Sequence, residues 1–112
     1  MAKKERQRQV KKAAQKIAGE FFAEHHPPGQ MVTVARVEAN QKLTVLTIFV
    51  TTLPEPQHDT PKNLKKFLPP LRKAIGDKIR FRKVPEIRLE FDRKQSSRRR
   101  VEEILDEAKD GG

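Results

Sequence analysis

Cysteine, tryptophan and tyrosine are all absent from this chain of 112 residues. Without cysteine there are no disulfides, no thiolate metal ligands and no thiol nucleophile, a composition that suits a reducing compartment. Phenylalanine supplies the whole aromatic content, six residues placed mostly at core positions, so stacking platforms for unpaired bases are not expected. No apolar run approaches the roughly 20 residues that span a bilayer, and the charged start has no signal-peptide apolar region. A cytoplasmic protein without a membrane partner is expected. His25 and His26 are the one metal-like pair, but neighbouring side chains point apart and no third ligand lies close in sequence. His58-Asp59, with scattered serines and glutamates, has no hydrolase spacing, and no glycine-rich phosphate loop occurs. An enzyme, a metal, a cofactor and a small-molecule substrate are therefore not expected.

What the chain has in excess is positive charge. Lysine and arginine number 25 against 15 acids, giving a net charge of +10 and a pI near 10.2. The surplus is concentrated in residues 1–30 and 71–94. Clustered cations favour a polyanion, because each neutralised phosphate releases counterions. Nucleic acid leads as the partner class, ahead of an acidic membrane or protein surface. The length predicts one domain over 1–112, with 1–5 and 109–112 frayed.

Over residues 3–23, Val10, Ala14, Ile17 and Phe21 form an apolar stripe at helical spacing, with Arg8, Lys12 and Lys16 directed away. Pro27-Pro28-Gly29 ends that helix. Residues 31–39 and 43–52 read as strands joined through Asn40-Gln41-Lys42 into a hairpin. The second strand is apolar on both faces, which predicts cover on both. Thr60-Pro61 reads as an N-cap followed by the first helical position. Leu64, Phe67, Leu68, Leu71, Ile75 and Ile79 then keep one helical phase straight through Pro69-Pro70. An interior proline costs about 3 kcal/mol, so two short helices around a kink are expected. Residues 86–92 form a third strand with Ile87, Leu89 and Phe91 inward. A last helix from Ser96 or Ser97 buries Val101, Ile104, Leu105 and Ala108. The expected class is α+β, in the order α-β-β-α-(kink)-α-β plus a C-terminal helix, with a three-stranded sheet packed against helices.

That order is the order of the type II KH domain, an RNA-binding fold. Arg72, Arg80-Phe81-Arg82, Val84-Pro85-Glu86-Ile87 and Phe91-Asp92 stand without gaps as in one family, and the chain resembles ribosome-binding factor A over about residues 6–105. Arg6 with Val10, Gln15-Lys16, Val34 to Glu38 and Leu43 to Thr51 add weaker support. The resemblance implies a monomeric bacterial assembly factor that binds the small ribosomal subunit and its ribosomal RNA and assists late maturation. RNA-binding KH domains grip nucleotides with a Gly-x-x-Gly loop, which this chain and the family both lack. The family's Ala-x-Gly kink aligns with Phe67-Leu68-Pro69, where proline keeps a bend. Its Asp-Pro-Arg after the first helix is replaced by His26-Pro27-Pro28-Gly29.

Arg72, Lys73, Gly76, Arg80 and Lys83 fall within roughly 100° of one helical face, opposite Leu71, Ile75 and Ile79. They are the leading candidates for phosphate contact, with Gly76 leaving room for a nucleic-acid backbone. A plain solvated face is the alternative. Lys62, Lys65 and Lys66 flank the kink, and Lys3, Lys4, Arg6, Arg8, Lys11 and Lys12 form a basic start. Arg98, Arg99 and Arg100 stand in the first turn of the last helix, where cations oppose the macrodipole. They are phosphate candidates too, although Arg98 and Arg99 can pair with Glu102 and Glu103 four residues on. Arg82 is expected to fold back onto Asp92 or Glu90. The function read from all this is a non-enzymatic RNA-binding factor. The alternatives are a KH-like module with a non-ribosomal RNA or DNA target and an adaptor for an acidic protein.

Overall fold

The computed structural model describes residues 2–92; the expected C-terminal helix, with Arg98, Arg99 and Arg100, lies outside the described residues. The elements are α1 (Ala2–Glu24), β1 (Met31–Ala39), β2 (Val45–Leu53), α2 (Thr60–Lys65), α3 (Leu68–Lys78) and β3 (Glu86–Phe91). The strands lie in the order β1-β2-β3, with β2 antiparallel to β1 and parallel to β3. A parallel pair cannot be joined by a tight turn, so α2 and α3 form the crossover.

One face of the sheet carries the core. Val32, Val37, Leu46, Ile48, Val50 and Ile87 meet Val10, Ala14, Ile17, Ala18 and Phe22 of α1 and Leu71 and Ile75 of α3 in a single buried cluster. Phe22, more than the expected Phe21, is the fully buried ring of α1. Both rings lie edge-on to Phe67 between the helices, at 6.3 and 6.4 Å. In β1 the apolar positions change parity, Val32 and Val34 being even and Val37 odd. A β-bulge between Val34 and Arg36 absorbs the change. Without that extra residue, strict alternation would send Arg36 into the core and Val37 to solvent.

The bulge turns Arg36 onto the opposite face, and there the expectation of cover on both sides of β2 needs correction. Among the described residues no second layer covers Val45, Thr47 and Phe49, which are half-buried. Their cover is a polar network: the Arg36 guanidinium sits 3.9 Å from the Phe49 ring centroid. It also donates to Glu38 at 3.0 Å and to Asp92 at 2.6 Å. Hydrogen bonding to Glu38 first, and to Asp92 second, raises the Arg36 pKa above its already high ordinary value. Asp92 retains only 4% of its exposure.

Three boundaries differ from expectation. β2 begins at Val45, two residues late, because the Asn40 carboxamide oxygen accepts the N–H groups of Thr44 and Val45 at 2.9 and 3.0 Å. That cap bends the chain enough to put Leu43 in the left-handed region at φ 57°. Thr60 does not cap α2; Asp59 holds the N-cap position. The Thr60 hydroxyl, fully buried, accepts from Gln57 N–H and donates to the Gln30 side chain. Finally, Pro69 and Pro70 break no ladder. The helical interruption falls at Lys66-Phe67, and the prolines occupy the first turn of α3, where an N–H has no intrahelical acceptor anyway. The first bond of α3 runs from Leu71 N–H to Phe67 O at 2.9 Å.

Removing the Asp92 carboxylate takes away the buried, charge-assisted bond from Arg36, which keeps only Glu38 as a carboxylate partner. Asp92→Ala is therefore expected to lower the unfolding free energy by about 1–3 kcal/mol. Urea denaturation followed by circular dichroism measures this, and a midpoint equal to the parent's would contradict it.

Candidate nucleic-acid interface

Three segments converge at one end of the sheet. The N-terminal turns of α1, the β1–β2 turn and the loop from Ile79 to Pro85 meet there, tied by hydrogen bonds. Gln7 Nε2 donates to Asn40 O at 2.8 Å, and Glu86 N–H donates to Thr44 O at 2.9 Å. An Arg6 guanidinium N–H donates to the carbonyl of Arg80. The loop cations therefore stand beside the basic N-terminal turns of α1.

Arg80 and Lys83 do not share a helical face with Arg72, Lys73 and Gly76. α3 stops at Lys78, and Ile79 is extended at φ −115°, ψ 130°. One burial ends the helix and another sets the path of the loop beyond it. Ile79 is drawn into the core, and Pro85, also fully buried, forces an extended approach from the residue before it. The loop then alternates by side-chain chemistry. Ile79 and Phe81 pack on the core and Val84 packs on Gly76, while Arg80, Arg82 and Lys83 are exposed. The side chains of these three cations have no hydrogen-bond or ion-pair partner among the described residues. Arg82 thus makes no ion pair with Asp92 or Glu90; Arg36, turned over by the bulge, takes the Asp92 carboxylate.

Arg72, by contrast, is engaged. Its Nε donates to Pro85 O at 3.4 Å and its Nη2 to Val84 O at 3.2 Å, so one planar fork spans two successive carbonyls. Lys73 pairs with Asp77 one turn on at 3.3 Å, an exposed contact worth a few tenths of a kcal/mol, ~0.3–0.5. Gly76 lines the same surface, but its missing side chain serves packing: a Cβ there would stand 3.1 Å from a Val84 methyl. Lys65 ends α2, and Lys66 stands in the α2–α3 junction, both exposed.

Between the crossover helices and β3 runs a groove in two adjoining concavities that share Leu68 and Ile87. One, of about 580 Å³, is bounded by Pro69, Arg72, Lys73, Gly76, Asp77 and Val84. The other, of about 350 Å³, lies between Pro61, Leu64 and Lys65 of α2 and the outer edge of β3. The floor is apolar and the rim carries Lys65, Arg72, Lys73 and Arg88, with Glu86 and Glu90 on the strand. Sequence reasoning missed this groove because its floor reads as ordinary core. It also missed Arg6 as a tether; the inward phase of Val10, four residues on, was the available signal.

No group of three or more His, Cys, Asp and Glu side chains that could hold a metal ion occurs among the described residues. His25 stacks on Phe21 at 4.4 Å with its Nδ1 3.0 Å from Phe21 O, and His26 turns to Pro27 O. No described helix is long and apolar enough to cross a membrane.

The α-β-β-α-α-β order, a parallel last strand and helices on one face of a three-stranded sheet define a type II KH-like fold. The family model for ribosome-binding factor A matches residues 6–105, and the chain belongs to that family. The crystal structure of ribosome-binding factor A from Thermus thermophilus superposes with a TM-score of 0.67 at 17% identity, covering 76% of this chain and 93% of that one. The Thermus thermophilus factor as fitted into a cryo-EM map of a 30S complex gives 0.63 at 18% identity, over 73% and 90%. A candidate ribosome-binding factor A from Thermotoga maritima, solved by NMR, gives 0.54 at 21%, over 74% and 79%.

Gly76 supplies a test of the packing. In a helix interior Gly→Ala is worth up to about 1 kcal/mol of stabilisation, which the Val84 methyl opposes. Gly76→Ala is expected to stabilise a Val84→Ala background but not the parent, with a coupling of about 0.5 kcal/mol or more. Thermal unfolding of the four proteins in the cycle measures it, and additivity would refute the contact.

Proposed function

We propose that this protein is a non-enzymatic RNA-binding factor that docks on the small ribosomal subunit and assists its late maturation. The observation that carries the reading is the trio of exposed, unpartnered cations Arg80, Arg82 and Lys83 at the basic end of the fold. Family membership supports the ribosomal target, as does the 30S complex of the Thermus thermophilus relative.

Mechanistically, the loop cations, with Lys65 and Lys73 on the rim of the neighbouring groove, meet ribosomal RNA through its phosphates. Phosphate contacts fix register and orientation without reading sequence. Discrimination then comes from the fold of the RNA: the protein binds one arrangement of the subunit more tightly and shifts the population toward it by that difference in affinity. No covalent step is needed, and the protein acts as a monomer in the cytoplasm. A KH-like module with a non-ribosomal RNA or DNA target is the second reading, favoured by the same unpartnered cations and by the absence of base-stacking aromatics.

Co-sedimentation with immature small subunits, mature small subunits, large subunits and bulk structured RNA separates the two readings. Selective binding to small subunits that bulk RNA does not compete away is expected; equal binding to every RNA supports the second. Reversing Arg80, Arg82 and Lys83 to glutamate together is expected to abolish small-subunit binding. Because these side chains are exposed and make no hydrogen bond or ion pair among the described residues, each change should cost no more than about 0.5 kcal/mol of stability. Binding equal to the parent's would remove this face from the interface.

A further inference from the structure

Arg6 and Arg72 belong to the basic surplus that points to a polyanion, yet neither guanidinium is directed at solvent alone. They hold the two ends of one loop. Arg6, from α1, donates to the carbonyl of Arg80 near the start of the loop. Arg72, from α3, donates to the carbonyls of Val84 and Pro85 at its end. Between the tethers stand Arg80, Arg82 and Lys83, the cations without partners. Inside the loop, Phe81 is packed on the core and Val84 is seated on Gly76.

We infer that Arg6 and Arg72 are positioning residues: they fix the Arg80–Val84 segment so that its three outward cations are presented to phosphates in one arrangement, and they make no phosphate contact of their own that matters for affinity. The inference rests on the RNA-binding reading above. Its chemistry is particular to arginine. A guanidinium presents several N–H groups in a rigid planar fork, which lets Arg72 reach two successive carbonyls at once. A lysine ammonium keeps the charge but is a compact point donor on a flexible stem, and does not impose the same plane on the chain. Fixing the loop beforehand removes the cost of ordering its backbone at the moment of binding.

The test separates charge from geometry. Arg72→Lys and Arg6→Gln are compared in the parent protein and in a background where Arg80, Arg82 and Lys83 are glutamine. Affinity for purified small ribosomal subunits is measured across a range of KCl concentrations. The 15N heteronuclear NOE of Phe81–Val84 is recorded in the free proteins. Arg72→Lys, which changes no charge, is expected to weaken binding roughly tenfold through the lost pre-ordering and to lower the NOE across the loop. In the triple-glutamine background it is expected to have no further effect on affinity. Arg6→Gln removes one charge but should lower the salt slope by more than the about 0.7–0.9 that one phosphate contact accounts for, because loop contacts are lost with it. Core amides of β2 report whether a variant has kept its fold.

An unchanged NOE and unchanged affinity in Arg72→Lys would overturn the clamp. So would an equal loss of affinity in both backgrounds, which would make Arg72 an independent contact. If the triple-glutamine protein binds as well as the parent, the RNA-binding reading of this face fails. The NOE of Arg72→Lys then still decides whether the loop is held by arginine.

Discussion

The parallel pairing of β3 with β2 is the constraint from which the rest of the molecule follows. Val45 faces Glu86 and Val50 faces Phe91, so both strands start at the same end of the sheet. The chain leaving β2 must therefore travel the length of the sheet before β3 can begin. α2 and α3 are that return path, and the loop after α3 has to deliver Glu86 beside Thr44. This places the loop against the β1–β2 turn and the start of α1, since all three lie at the end where β2 begins. The gathering of Arg80, Arg82 and Lys83 with the basic start of α1 is thus a consequence of topology. It does not require attraction among like charges, which would oppose it.

Charge count and available charge are different quantities in this protein. Of its arginines, Arg6, Arg36 and Arg72 have guanidinium groups occupied by carbonyls or carboxylates of the chain itself, and Arg88 pairs with Glu86. In Arg36 and Arg72 the planar fork satisfies two acceptors at once. Arg36 does this on the open sheet face, covering Phe49 and holding Asp92. Among the described residues, Arg80, Arg82 and Lys83 are exposed cations with no hydrogen-bond or ion-pair partner, whereas Lys73 pairs with Asp77. Charged contacts already satisfied within the fold gain little from an external phosphate, which is why the proposed function rests on the unpartnered group.

Much of the fold is legible in the sequence because the apolar periods are clean. Val10, Ala14 and Ile17 announce α1, the Val and Ile runs announce β1 and β2, and Val84-Pro85-Glu86-Ile87 marks the entry to β3. What was not legible follows from side chains acting on distant backbone. The Asn40 carboxamide shortens β2 by taking N–H groups that a simple hairpin would leave to the ladder. The bulge in β1 shows only as a parity change between Val34 and Val37, readable in retrospect, and without it Arg36 could not be placed. Pro69-Pro70 looked like a break inside a helix; propensity alone does not say whether a proline pair ends one helix or begins the next. At the candidate site, the sequence marked Arg72, Lys73, Gly76, Arg80 and Lys83, and all of them lie on or beside α3. It could not tell engaged from free, because Arg72 meets carbonyls twelve and thirteen residues away and Arg6 meets one seventy-four residues away.

The absence of tyrosine and tryptophan and the abundance of tethered charge point the same way. A protein that reads unpaired bases needs flat rings at its surface, whereas here Phe21, Phe22, Phe67, Phe81 and Phe91 pack on the core or its rim, and Phe49 lies under Arg36. If the proposed function holds, what remains to discriminate one RNA from another is the geometry of the charges. Geometry discriminates only if it is held: cations on a loose loop adapt to any phosphate path, and their affinity then follows charge density alone. A loop fixed at both ends accepts the phosphate spacing of one RNA arrangement and loses contacts on another. On the proposed function, rigidity of the Arg80–Val84 segment is what would convert a general attraction for polyanions into preference for a particular folded RNA.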